Sequence, residues 1–289
     1  LNFNKETAKK GDGKSGMIFI DSDPFIIKQL KDSEFKNFII NKLIISYYEH
    51  MKKNKHSLLS KFYGIYNING TKVVVMDKID IVCIEGTKIK YDLKGSRRNR
   101  KSKSTTKKEG DFDKSQIIFD NKKKRTNFIE QVKKDSTFLA DNELMDYSLF
   151  VVICPTNKIN NTNDEDISKF KAVLKNNNQY KSNKDVEAVL KNNNQYKSNK
   201  DVEVKCGIID FLQNYNFKKN IQSKVRTTPK RATTRVFSGF TEYAELQKTD
   251  VSSIPPKKYK IRFDKYINDR FRLPPPPRPP RRVRGQQKK

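Results

Sequence analysis

The chain is poor in the residues that build the more familiar chemical sites. It has no tryptophan, two histidines and three cysteines in 289 residues. Cys83, Cys154 and Cys206 are far apart and no pair has metal-ligand spacing, which excludes a clustered zinc site. They read as free thiols in a reducing cytosol. No apolar run approaches the roughly 20 residues of a membrane-spanning helix, and no secretory signal follows Leu1. Apolar residues are also scarce, at 34%, so part of the chain is expected to be loop or tail rather than core. Acid is the scarcer charge: 33 Asp+Glu face 62 Lys+Arg, for a formal net charge of +29. Such an excess favours polyanions, whether nucleic acid, anionic lipid headgroups or nucleotide phosphates. No recognisable nucleic-acid-binding motif is present, so a specific nucleic-acid partner is not expected.

What is present is a succession of short apolar segments with turn signals between them. Residues 11–16 read Gly-Asp-Gly-Lys-Ser-Gly. Strands are expected at Met17–Ile20, Phe25–Lys28, Lys61–Tyr66, Val73–Met76, Ile89–Leu93, Leu149–Ile153 and Gly207–Leu212. A helix from Asp32 or Ser33 to Lys53 would bury Phe35, Phe38, Ile39, Leu43, Tyr47 and Met51, with Asp32 or Ser33 as its cap. A second helix is expected over Lys124–Asn142, and a third within Pro255–Phe271 with Tyr259, Phe263, Tyr266 and Ile267 on one side. Residues 172–203 are a perfect tandem repeat, AVLKNNNQYKSNKDVE twice. Two Asn/Lys-rich copies are too few for a solenoid, so the segment reads as a duplicated loop, disordered or at most a marginal helix. The last residues, 273–289, form a Pro/Arg-rich tail of extended polyproline character.

Three acids stand beside apolar strand residues. Asp92 lies in YDLKGSRRNRK, Asp146 in LMDYSL and Asp210 in IIDF. A carboxylate in such company costs several kcal/mol of desolvation unless it is paired or binds a cation. Any one of them alone is more simply a turn or capping group. Lys28, at the end of Phe25-Ile26-Ile27, raises the same question with opposite sign. Together they suggest phosphoryl transfer, which needs positioning and charge neutralisation more than covalent chemistry. A glycine loop (Gly13, Ser15, Gly16) would cover phosphates, Lys28 neutralise them, Asp210 hold Mg²⁺, and Asp146 face an acceptor hydroxyl.

The order GKSG, FIIK, LLSKFYG, VVVM, YDLKGS, MDYSL, GIIDFLQ and IPPKKYKIRF resembles the phosphatidylinositol phosphate kinase family over residues 11–271. The resemblance implies an α+β fold: a two-lobed kinase-like architecture with an antiparallel sheet in an N-lobe (1–80) and a mixed α/β C-lobe (81–272). It places a disordered insertion at 155–204 and an activation or specificity loop at 218–254. It implies ATP and Mg²⁺ as cofactors and the inositol ring of a phosphatidylinositol monophosphate as acceptor. Lys28 would be the phosphate-binding lysine, Asp146 the catalytic acid, Asp210 the metal-binding acid, and Lys94 a neighbour of the transferred phosphate. Met76 to Lys78 would lie beside the adenine. Arg97, Arg98, Arg100, Lys218 and Lys219 would face an anionic phosphoinositide membrane, where each cation contributes about 1 kcal/mol. The implied location is the cytosolic face of membranes. A homodimer through the N-lobe is a family habit, and PPPPRPP offers a docking site for an SH3-type partner.

The chain departs from the usual family pattern at four positions. Met17 stands for serine, Ser60 for proline, Val152 for glycine and Cys154 for histidine. At the loop position that separates 5-kinases from 4-kinases it has Ile221, which matches neither. The reading preferred here is the kinase that converts phosphatidylinositol 4-phosphate to the 4,5-bisphosphate. The alternatives are a 4-kinase acting on the 5-phosphate lipid and a catalytically impaired membrane binder of the same fold.

Overall fold

A computed structural model describes residues 8–10, 18–40, 42–83, 87–96, 100–113, 115–156, 166–176, 200–215 and 254–275. Five strands form a wholly antiparallel first sheet in the order β1-β2-β3-β5-β4. They are β1 (Ala8–Lys10), β2 (Ile18–Ser22), β3 (Phe25–Gln29), β4 (Phe62–Ile68) and β5 (Thr71–Asp77). Asn69 and Gly70, both at positive φ, make the tight turn between β4 and β5, as the right-handed twist of a hairpin requires.

Between β3 and β4 the sequence predicts one long helix, and the structure breaks it. A short α1 (Asp32–Phe35) passes into a π-helical turn (Lys36–Ile40), and α2 (Leu43–Lys53) starts afresh after Lys42, whose φ is 60°. The predicted apolar stripe still faces inward, with Phe38, Leu43 and Tyr47 buried. Phe38 and Leu43, on either side of the break, reach the same core. Neither Asp32 nor Ser33 caps the helix. The Glu34 carboxylate reaches back to accept from the Lys31 backbone N–H at 2.9 Å.

The second sheet has seven strands in the order β12-β8-β10-β11-β9-β6-β7. They are β6 (Ile89–Leu93), β7 (Thr106–Lys107), β8 (Ser115–Phe119), β9 (Ser148–Pro155), β10 (Lys169–Asn176), β11 (Lys200–Ile209) and β12 (Phe271–Arg272). Its four central pairings, from β8 to β6, are antiparallel, and the β6–β7 and β8–β12 edges are parallel. A short α3 (Glu109–Phe112), then α4 (Lys122–Asp141) and α5 (Pro256–Arg270) complete the fold. Asn121 caps α4 by accepting from the backbone N–H groups of Lys123 and Lys124, and Pro256 opens α5, where its missing N–H costs nothing. The predicted stripe of α5, Tyr259, Phe263, Tyr266 and Ile267, is buried, and α4 packs against α5.

Two further expectations are overturned. The tandem repeat is not wholly loop. Its first residues, Ala172–Asn176, complete β10, and its last, Lys200–Glu203, begin β11, with Ala172 opposite Val202. The flanking sequences KFK and VKCGII occur once each, so they select the outer ends of the repeat and set the register. Cys83 and Cys154 are not free thiols either. They form a disulfide with Cα atoms 5.7 Å apart, tying the segment after β5 to β9. Cys206 alone remains a thiol, buried inside the second sheet. Val152 is fully buried against Ile81 and Cys154.

Candidate active site

The first sheet delivers a lysine to the acids of the second. Lys28 sits on β3 opposite Val74 of β5, so its side chain projects from the core face. Only 6% of that side chain is exposed, and its Nζ lies 2.6 Å from Asp210 Oδ1 and 3.7 Å from Glu34 Oε1. Met76 shares this face and is buried in the core. Lys78, just beyond β5, pairs with Asp23 at 3.0 Å.

Asp210 follows the last residue of β11 and takes a φ of +59°. Asp146, just before β9, has a φ of +65°. Both are non-glycine residues in the left-handed region, where strain is held by the surroundings and is concentrated at functional sites. The two turns that carry them are bonded together. Met145 N–H donates to Gln213 O and Tyr215 N–H to Glu143 O, each at 3.0 Å.

Lys94 completes the group. It follows β6, and its Nζ lies 3.0 Å from Asp146 Oδ1 and 2.8 Å from the Asp146 carbonyl. Asp92 precedes it by two residues, the spacing that puts both on one side of a strand. The glycine of the YDLKGS motif has a structural reason. Gly95 has a φ of +74°, and a Cβ there would come within 3.2 Å of Phe263 Cα and Tyr266 Cβ on α5. Only glycine allows the chain to turn there against the helix.

These charges interact as one unit. Burial alone would lower the pKa of Lys28; Asp210 and then Glu34 outweigh it and hold the ammonium above its ordinary 10.5. Lys94 is also raised: burial works against it, and Asp146, Asp92 and Asp210 reverse the sign. Burial would raise Asp210, but Lys28, then Lys94 and Lys31, keep it below its ordinary 3.8. Both lysines act on Asp210, and the bonded turns bring the two pairs together. With 45% of its side chain exposed, Asp210 still reaches the solvent from which a nucleotide would arrive.

Arg100, expected at a membrane surface, turns inward instead. Its guanidinium donates to Glu109 Oε2 at 2.6 Å and to the Asp92 carbonyl at 2.7 Å. Glu109 is fully buried and also accepts from the Lys94 backbone N–H. A buried carboxylate needs such a cation, so Arg100 braces the basic loop. Arg97, Arg98, Lys218 and Lys219 lie outside the described residues, as do Gly13, Ser15 and Gly16.

Sequence reading missed Glu34 and Glu109. Glu34 is an acid in the first turn of the helix that follows the lysine strand, which is a signal that could have been used. Glu109 sits in a polar stretch, Lys107-Lys108-Glu109-Gly110, and nothing local marks it as buried. Among the described residues no three His, Cys, Asp or Glu side chains cluster for a metal. The carboxylate of Asp210 suits Mg²⁺, a hard cation that takes one or two carboxylates and fills its remaining positions with phosphate and water. A hollow bounded by Phe119, Asn127 and Phe170 lies elsewhere and contains none of these groups.

A probable phosphatidylinositol phosphate kinase of Dictyostelium discoideum is 36% identical over 156 residues, covering 49% of this chain and 21% of that protein. Phosphatidylinositol 4-phosphate 5-kinase 1 of Arabidopsis thaliana is 33% identical over 156 residues, 48% of this chain and 20% of its own. Phosphatidylinositol 4-phosphate 5-kinase 10 of the same plant is 35% identical over 160 residues, 51% of this chain and 37% of its own. The chain thus matches about a fifth to a third of the length of these relatives. The sequence profile described as phosphatidylinositol-4-phosphate 5-kinase matches residues 2–270; with nearly the whole chain covered, it belongs to that family.

Proposed function

We propose that this chain carries the catalytic centre of a phosphoinositide kinase that transfers the γ-phosphoryl group of ATP to phosphatidylinositol 4-phosphate. The observation that carries the reading is the pairing of Lys28 with Asp210 and of Lys94 with Asp146, on turns bonded to each other. Asp210 would hold Mg²⁺, and Lys28 would bind nucleotide phosphate oxygens. Lys94 leaves Asp146 for the transferring phosphoryl group. Asp146 then accepts the proton of the ring hydroxyl as the new O–P bond forms and the bond to ADP breaks. Mg²⁺, when bound, neutralises charge developing on the phosphate oxygens. The preference for the 4-phosphate lipid is supported by the names of the relatives.

In this reading Gly13, Ser15 and Gly16 cover the phosphates, and Met76 and Lys78 flank the base. Arg97, Arg98, Lys218 and Lys219 meet the anionic leaflet. A homodimer and an SH3-type partner at the proline-rich tail belong to the same reading. The test is a radiolabelled ATP assay on vesicles carrying each of the three phosphatidylinositol monophosphates. Label is expected in the bisphosphate made from the 4-phosphate lipid. Label from the 5-phosphate lipid alone would reassign the ring position, and no label from any of the three would refute the kinase.

A further inference from the structure

Asp135 lies on α4, far in sequence from Lys28 and Asp210, and is completely buried. Its carboxylate is saturated with donors. Oδ1 accepts from Gln131 Nε2 at 2.9 Å and Ser57 Oγ at 2.8 Å, and His50 Nε2 lies 2.7 Å away. Oδ2 accepts from the Leu58 backbone N–H at 2.7 Å. Asn54 Nδ2 sits 3.4 Å from His50 Nδ1. That leaves Nε2 as the protonated nitrogen facing the carboxylate. The His50 ring stacks on Phe138, one turn along α4 from Asp135.

One of the groups held is backbone, and that backbone leads to the site. Residues 57–60 connect α2 to β4. Leu58 O accepts from Ile208 N–H at 2.6 Å, and Ser60 N–H donates to Ile208 O at 3.0 Å. Strand β10 pairs with β11 only as far as Lys205, and Cys206 N–H bonds to Ser168 O just beyond. From there to the end of β11, residues 58–60 take the place that β10 has left. Ile208 precedes Asp210 by two residues. Ser60 itself matters here, because a proline would have no N–H to give Ile208. Tyr47 O–H adds a bond to Ser60 O at 2.9 Å.

We infer that Asp135 is a positioning residue: through Leu58 it fixes the end of β11 and so the place and strained turn of Asp210. The inference rests on the reading of Asp210 as the metal-binding acid. Four donors from α2, the 57–58 connection and α4 converge on one carboxylate, so motion of α2 against α4 is transmitted to Asp210. Groups that orient a metal ligand without touching the metal typically change metal affinity or activity by at least about ten-fold when removed.

The experiment compares Asp135→Asn, Ser57→Ala and Asp264→Asn in the full chain. Asp264 is a second partly buried carboxylate on α5 that accepts from Ser136 of α4 at 2.7 Å; it braces α4 to α5 without reaching β11, and serves as the structural control. In Asp135→Asn the Mg²⁺ concentration for half-maximal rate is expected to rise about ten-fold, with the KM for lipid unchanged. Hydrogen exchange in the 208–212 segment should quicken while β9 stays protected. Ser57→Ala should move both readouts the same way by less, and carries the test if Asp135→Asn does not fold. Equal changes in Asp264→Asn, or none in the two test variants, would overturn the inference. Failure of the underlying reading has a different signature: Asp210→Asn would retain full activity while the exchange result stood.

Discussion

The two sheets differ in how firmly they are held, and the site is built from both. Strand β9 is buried along nearly its whole length, at successive residues rather than alternate ones, because both faces of the second sheet are covered. Strand β4, at the edge of the first sheet, has no fully buried residue, and Tyr63 and Tyr66 are more than half exposed. The lysine proposed to meet nucleotide phosphate thus comes from the thinner sheet, and the two acids come from the densely packed one. A kinase must admit and release a nucleotide, and low-stability elements are where such motion is found. The acids, proposed to set the in-line geometry, gain from rigidity. The pairs Lys28–Asp210 and Lys94–Asp146 record that division: the first spans the two sheets and the second lies within the second sheet's own loops.

The comparison is broken most sharply at the first pair. Lys28→Met and Asp210→Asn are each expected to lower kinase activity by about a thousand-fold, in line with the loss of a charge aimed at the transition state, with the circular dichroism spectrum unchanged. Activity within ten-fold of the parent in either variant would remove the pair from the chemistry. The contrast in packing comes next. Phe263→Ala, in the α5 stripe under Gly95 and Tyr147, should cost about 3–5 kcal/mol. Tyr66→Ala on the edge of the first sheet should stay within about 0.5 kcal/mol. Similar urea midpoints for the two variants would show that the sheets are equally held.

The repeat offers a gentler test on the second sheet. Removing residues 177–192 leaves one intact copy between β10 and β11, with both strand arms present. The connection becomes about three-fold shorter, so loop closure favours the deletion by about 1 kcal/mol. A loss of stability would mean that the copies do not share their outer ends as described. The smallest effect concerns pH. Asp210 is held below 3.8, so its stabilisation is present above that value and is lost as pH falls through the lower folded pKa. Lys28 is held above 10.5, so its contribution is complete below that value and is lost only as pH rises further. The difference in melting temperature between the parent and Lys28→Met should therefore be flat from pH 5 to 9. A slope in that window would indicate that the pair is not formed.

Much of this was readable before any coordinates. Strand β6 was delimited from its apolar pattern, and the stripes of α2 and α5 fell where periodicity put them. Lys28, Asp146 and Asp210 stood out because a charge beside apolar strand residues demands a partner. The partners were not readable. Nothing near Lys107-Lys108-Glu109 says that Glu109 is buried, and nothing in RRNR separates Arg100, which turns inward, from its neighbours. The π turn before α2 and the Cys83–Cys154 bond depend on which surfaces meet, which local propensity does not encode.

Composition, periodicity and motif order by themselves determined the element types, the positive field and the identity of the charged groups. These follow from short-range sterics and from the cost of leaving a charge unpaired in apolar surroundings. Only the tertiary structure decided that Lys28 meets Asp210, that Asp135 grips Leu58, and that both acids sit in left-handed turns. Those contacts join residues far apart along the chain, and their energies exist only once two packed layers bring them within hydrogen-bonding distance.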